Sequence, residues 1–166
     1  MLKVRLAEND GYTGKDLDKL NAALKKMEEI LNSAVFKERV LHYKLPSGAE
    51  TFFYRPWQIH YTNQEVYDTI MKASELMGYG EPNVVNLSLR LLPGGNGDVV
   101  GYGNPGDRWI NTYKTAFDQM DISDLVNHYG HEWLHKLGFE HDFQKLPKRK
   151  YSVPYAVGDI LESLAN

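Results

Sequence analysis

Two periodicities divide the chain. Leu2, Val4 and Leu6 alternate with polar Lys3 and Arg5, which predicts a half-buried strand over positions 2–6. Leu17, Leu20, Leu24, Met27 and Leu31 then recur at helical spacing behind Thr13 and Asp16, a pair set as in a capping box. That stripe predicts a helix resting on a sheet. Positions 36–43 and 50–54 read as further strands. A second capping pair, Thr62 and Glu65, opens a helix that carries Val66, Ile70, Ala73 and Met77 and stops at Gly78. Val85, Leu87, Leu89 and Leu91 alternate across 83–92, again a strand, and positions 157–164 predict a short closing helix. Strands and helices mixed in this order make the fold class α+β.

The most informative pattern lies at positions 121–137. Ile122, Leu125, Val126, Tyr129, Trp133 and Leu137 share one side of a helical wheel, while His131 and His135 occupy the other, flanked by Glu132. Asp121 or Ser123 supplies the N-cap and Gly138 the C-terminal stop. At about 100° per residue the two histidines differ by only roughly 40° around the axis, so both imidazoles can reach a single ion. Glu132, next to the first histidine, can contact a water on that ion without binding the metal. Gly138 permits the left-handed conformation that reverses the chain, and His141 can swing back as a third ligand. The run from His131 to Asp142 thus has the spacing H-E-x-x-H-x-x-G-x-x-H. Three neutral nitrogens from His131, His135 and His141 leave a fourth tetrahedral position for water, the arrangement of a catalytic zinc site.

This stretch resembles the metzincin clan of zinc endopeptidases. With Leu137, Glu140 and Asp142 in place, it is most similar to the adamalysin (reprolysin) form of the motif. The resemblance implies a twisted mixed sheet, an active-site helix and a short C-terminal subdomain. It also implies a substrate-binding edge strand followed by an inner strand. Positions 98–102 (with Val99, Val100, Gly101 and Tyr102 as substrate-binding candidates) and 108–112 fill those places, between turn signals at 93–97 and 103–106. One domain over 1–166 follows, divided into an upper subdomain 1–141, with an insertion at 44–83, and a C-terminal subdomain 142–166. The insertion is rich in aromatic residues, which are read as packing. Metzincins also place a methionine in a tight turn beneath the zinc, downstream of the third histidine. Here every methionine lies upstream, and Pro154, within Ser152–Val153–Pro154–Tyr155, takes the corresponding place. Tyr151 and Tyr155 are candidates for the metal- or oxyanion-contacting tyrosine of some families, although a packed aromatic is the simpler reading of each. Tyr155 is also expected to help bound a substrate pocket.

The implied activity is hydrolysis of peptide bonds by a metal-activated water, with Glu132 as general base. Two other classes stay open: a zinc-binding module without turnover, and a zinc hydrolase acting on a non-protein amide. The length of 166 residues suits one domain, and a net charge of −3 does not call for a nucleic-acid or membrane partner. The expected partner is a peptide or protein substrate, met by a monomer. The basic run at 145–150 is read as a solvated loop. There is no cysteine, no apolar leader core in MLKVRLAEND and no run long enough to span a membrane, so a complete chain would be expected in the cytoplasm. His128, one turn before His131, is expected to be partly exposed, and His42 and His60 to be structural or surface residues.

Overall fold

The computed structural model describes residues 1–78, 81–95, 99–104 and 106–166. The expected turn residues Asn96, Gly97 and Pro105, and Asp98 of the expected edge strand, lie outside these. In chain order the elements are β1 (Lys3–Asp10), α1 (Gly14–Leu31), α2 (Ala34–Leu41), α3 (Asn63–Lys72), β2 (Val84–Leu92), β3 (Gly101–Gly103), β4 (Trp109–Tyr113), α4 (Lys114–Gln119), α5 (Ile122–Lys136) and α6 (Val153–Ala165). The molecule is therefore α+β. Its sheet is mixed, in the order β1-β2-β4-β3: β1, β2 and β4 run parallel and β3 pairs antiparallel with β4 at the edge.

One core joins these layers. Val85, Leu87 and Leu89 of β2 are fully buried, as are Leu20, Met27 and Leu31 of α1 and Leu125, Tyr129 and Trp133 of α5. Val153, Val157 and Leu161 of α6 complete the same cluster. α5 and α6 approach closely because each presents a glycine to the other. A Cβ on Gly130 would fall 2.4 Å from Leu161 Cδ1, and one on Gly158 would fall 2.4 Å from Asn127 Oδ1.

Several expectations are corrected. Positions 36–43 do not form a strand. Phe36 and Val40 are both buried at i, i+4 spacing, and Ser33 accepts a bond from Phe36 N at 3.0 Å, so the segment caps and winds as α2. The strand at 50–54 reduces to one parallel bridge between Phe53 and Ser152, just before Pro56, which offers no donor to extend it. Helix α3 has its full Thr62–Glu65 capping box but ends at Lys72, not at Gly78. Ala73 turns left-handed at φ +51°, and Leu76 N then donates to Lys136 O at 3.0 Å, a tertiary partner that takes the place of the next helical turn. Thr13 precedes α1 as expected, but its side chain makes no capping bond. Finally, Ser152–Tyr155 is not a tight turn. Ser152 is the N-cap of α6, and Pro154 sits in its first turn, where a missing N–H costs nothing.

Candidate metal centre

The helix that carries the histidine pair is fixed at both ends. Asp121 accepts from Asp124 N at 2.9 Å and Asp124 accepts from Asp121 N at 2.9 Å, a reciprocal capping box. At the other end Gly138 has φ +95°, Gly138 N bonds His135 O at 3.0 Å and Phe139 N bonds Leu134 O at 3.2 Å. This pair of bonds is a Schellman motif, and buried Phe139 and Leu134 supply its apolar contact. The reversal brings His141 back toward the helix.

His131, His135 and His141 each offer a ring nitrogen, and the three atoms lie within 4.8 Å of one another. His131 Nε2 and His141 Nε2 face each other at 3.2 Å. Two nitrogens held about 2.0–2.1 Å from a tetrahedral ion would stand roughly 3.3 Å apart, so this edge already has the dimension of a ligand pair. His135 Nδ1 lies 2.8 Å from Phe139 O, and His141 Nδ1 lies 3.0 Å from Asp142 O. A carbonyl only accepts, so Nδ1 carries the proton in both rings and Nε2 keeps its lone pair for a metal. Burial, then the neighbouring imidazoles, holds His131 far below its usual pKa, and burial lowers His135 and brings His141 to about 4. All three rings are thus kept in the neutral form that binds metal. The residues fit a borderline-soft divalent cation such as zinc.

Glu132 stands beside this group rather than in it. Its Oε2 accepts from Gly103 N at 2.8 Å, which ties α5 to the end of β3. Burial pushes the carboxyl up to about 7, against the opposing pull of the Gly103 N–H. A Cβ at Gly103 would sit 3.2 Å from Oε2, so a side chain there would press on the carboxylate. Tyr155 closes the centre from α6. Its ring lies 4.6 Å from that of His131 and 4.8 Å from that of His141, with the Arg149 guanidinium 4.8 Å over its far side. Tyr151 has no such stack with the histidines among the described residues; it sits in a 3-10 turn (Arg149–Tyr151) with Lys150 over its ring.

The edge-strand candidates divide. Gly101 and Tyr102 belong to β3, while Val99 and Val100 precede it, exposed, with Val100 O accepting from Tyr113 N at 3.0 Å. Gly101 is demanded by packing: a Cβ there would meet Asn111 O at 2.1 Å. His128 is not partly exposed but buried. Its Nε2 is paired with Thr112 Oγ1 at 3.0 Å, and burial alone lowers its pKa to about 4. It braces the helix against β4. His42 is exposed beside Glu38, and His60 lies against the Tyr54 ring at 4.9 Å.

Arg55 was not singled out by its sequence, yet it holds the third histidine's loop. It is 8% exposed, faces Glu140 Oε2 and Asp142 Oδ1 at 3.3 Å each, and donates to the His141 carbonyl. Trp57 and Phe143 flank its guanidinium at 5.4 and 5.2 Å. Gln58 adds a bond to Gly138 O at 3.3 Å. Residues 55–58 therefore bracket the C-terminal end of α5. Two acids on either side of His141 were the available signal that a buried cation was needed.

Among the described residues, no helix is long and apolar enough to cross a membrane. No protein-family model matches the chain, and no curated protein matches it significantly.

Proposed function

We propose that the protein is a zinc-dependent endopeptidase of metzincin-like type. The observation that carries this reading is the convergence of three inward imidazole nitrogens with a half-buried glutamate held beside them by the edge strand. The order of an antiparallel edge strand, an inner strand and then the active-site helix also agrees with that type. His131, His135 and His141 would hold the ion. When bound, zinc would supply Lewis acidity toward a water and toward the scissile carbonyl.

The remaining roles belong to side chains. Glu132, raised toward neutrality by burial, accepts the proton of the attacking water and returns it to the leaving amine as the carbon–nitrogen bond breaks. Gly103 N–H keeps one carboxylate oxygen fixed, so the other can face the water. An extended substrate pairs with the outer side of β3, where Tyr102 and Val100 flank it. Tyr155 restrains His131 and His141 by packing, and its hydroxyl, held protonated by burial, is a hydrogen-bond donor.

The test separates binding from chemistry. Glu132→Ala should retain zinc and fold while peptide cleavage drops by at least about 10²-fold, the lower scale of general-base catalysis. Metal analysis and a broad peptide-library digest read both. Joint loss of zinc and activity would make Glu132 structural, and absence of cleavage by the parent protein would refute the endopeptidase reading.

A further inference from the structure

A cavity of about 440 Å³ opens beside the histidine group, lined at one end by His131 and Glu132. It follows α5 toward the N-terminus of that helix, because Asn127 and Asp124 line it as well. Val100, Ala116 and Met120 provide apolar wall. The polar groups are spaced along the axis of α5. Asn127 stands one helical turn, about 6 Å along the axis, before His131. Its amide donates to Glu162 Oε2, which sets the Glu162 carboxylate at that level. Asp124 lies about 4.5 Å farther along the axis, toward the N-terminus of the helix.

Among the described residues neither carboxylate, Asp124 or Glu162, is paired with a cation, and no lysine or arginine lines the cavity. Each has one oxygen engaged locally, by Asp121 N and by Asn127, and among the described residues the other oxygen has no hydrogen-bond partner. The local excess of negative charge is felt nearby: Asp159, a turn before Glu162 on α6, is held above the usual carboxyl range by burial and then by Glu162. The opposite flank of the centre has the reverse sign, since the cavity beside Tyr155 is lined by Lys145, Arg149 and Lys150.

A side chain suited to the first cavity needs an apolar stem and a cationic head. A lysine's four-carbon stem reaches roughly 6 Å, the distance from the histidine level to Glu162, and the longer arginine approaches Asp124. We propose that this cavity receives one lysine or arginine side chain of an extended peptide, close to the bond that is cut. The proposal rests on the hydrolytic reading above and adds its substrate class: peptides with a basic residue at a fixed position beside the cleavage site. Glu162 is the main specificity determinant, with Asp124 behind it. Val100, Ala116 and Met120 shelter the methylene stem.

The test uses the zinc-loaded Glu132→Gln protein and short alanine-rich peptides carrying a single lysine, arginine, norleucine or glutamate. Calorimetry should give lysine and arginine peptides at least about tenfold tighter binding than norleucine, with glutamate weakest. Glu162→Gln should erase most of that difference by weakening the lysine and arginine peptides far more than the norleucine peptide. Digestion by the parent protein should then place the basic residue at one constant distance from the cut. Equal binding and cleavage of lysine and norleucine peptides would overturn the basic preference and leave the hydrolytic reading standing. A preference that survives Glu162→Gln would overturn its assignment to this cavity. Failure to bind or cleave any peptide would overturn both.

Discussion

Replacing Arg55 with methionine keeps a long apolar stem between Trp57 and Phe143 but removes the charge that holds the His141 loop. The magnitude follows from what each contact is worth. Glu140 is half exposed, so its ion pair contributes almost nothing. The bond to the His141 carbonyl is charge-assisted and partly buried, worth roughly 1.5–2 kcal/mol. Asp142, whose side chain is 21% exposed, loses a partly shielded partner, for about another 0.5–1 kcal/mol. A loop released by roughly 2–3 kcal/mol should hold its ligand about 30- to 150-fold less well, at 1.4 kcal/mol per decade. Competition against a chromophoric chelator gives zinc affinity, and thermal unfolding of the metal-free protein gives the background loss. Arg55→Lys should recover only part of the affinity, because an ammonium cannot face both carboxylates and the carbonyl as a planar guanidinium does. Unchanged zinc affinity in Arg55→Met would refute the positioning role. So would an affinity loss that merely tracks a collapse of the metal-free fold.

Two other expectations concern stability. His128 has a folded-state pKa of about 4, below the roughly 6.5 of an unfolded chain, so the unfolded chain binds the extra proton between those values. Its contribution is complete above pH 6.5 and is lost as pH falls toward 4, by up to about 3 kcal/mol. Denaturant titrations of the parent and His128→Asn across that window should show the steeper acid loss in the parent, and parallel slopes would refute the assignment. Gly130→Ala forces a methyl against Leu161 and should cost about 1–3 kcal/mol. Gly106→Ala, whose Cβ would meet nothing within 4 Å, should stay within about 0.5 kcal/mol. Equal stability of the two variants would mean that α5 and α6 are not held together through their glycines.

The parts of this molecule that could be read from the chain are those decided by near neighbours. The α5 stripe, its acidic cap, the His131–His135 pair and the Gly138 reversal all depend on residues within a turn or two. The alternation in β2 is local in the same sense. Positions 36–43 look strand-like because Phe36, Val40, Leu41 and Tyr43 are apolar or aromatic, and the helical i, i+4 pairing of Phe36 with Val40 is the weaker local signal. The end of α3 was hidden for a different reason: Lys136 O, 60 positions away, draws Leu76 N out of the helix. Arg55 is the extreme case, since its partners lie 85 and 86 residues ahead. No local pattern records such a contact. Only the two uncompensated acids around His141 hint at it.

His131 and His135 share a helix, and they can meet an ion as soon as that helix winds. His141 cannot, because its carbonyl waits for a guanidinium carried by a distant segment. The ligand set therefore divides into a pair on one helix and a third member whose carbonyl is held by Arg55. Undocking of the bracket around residues 138–142 would remove one ligand without opening the sheet or α1, the kind of local opening that costs less than global unfolding. How long a metal stays would then be timed by this short clasp, and a chelator would strip the protein at the clasp's opening rate, well ahead of global unfolding.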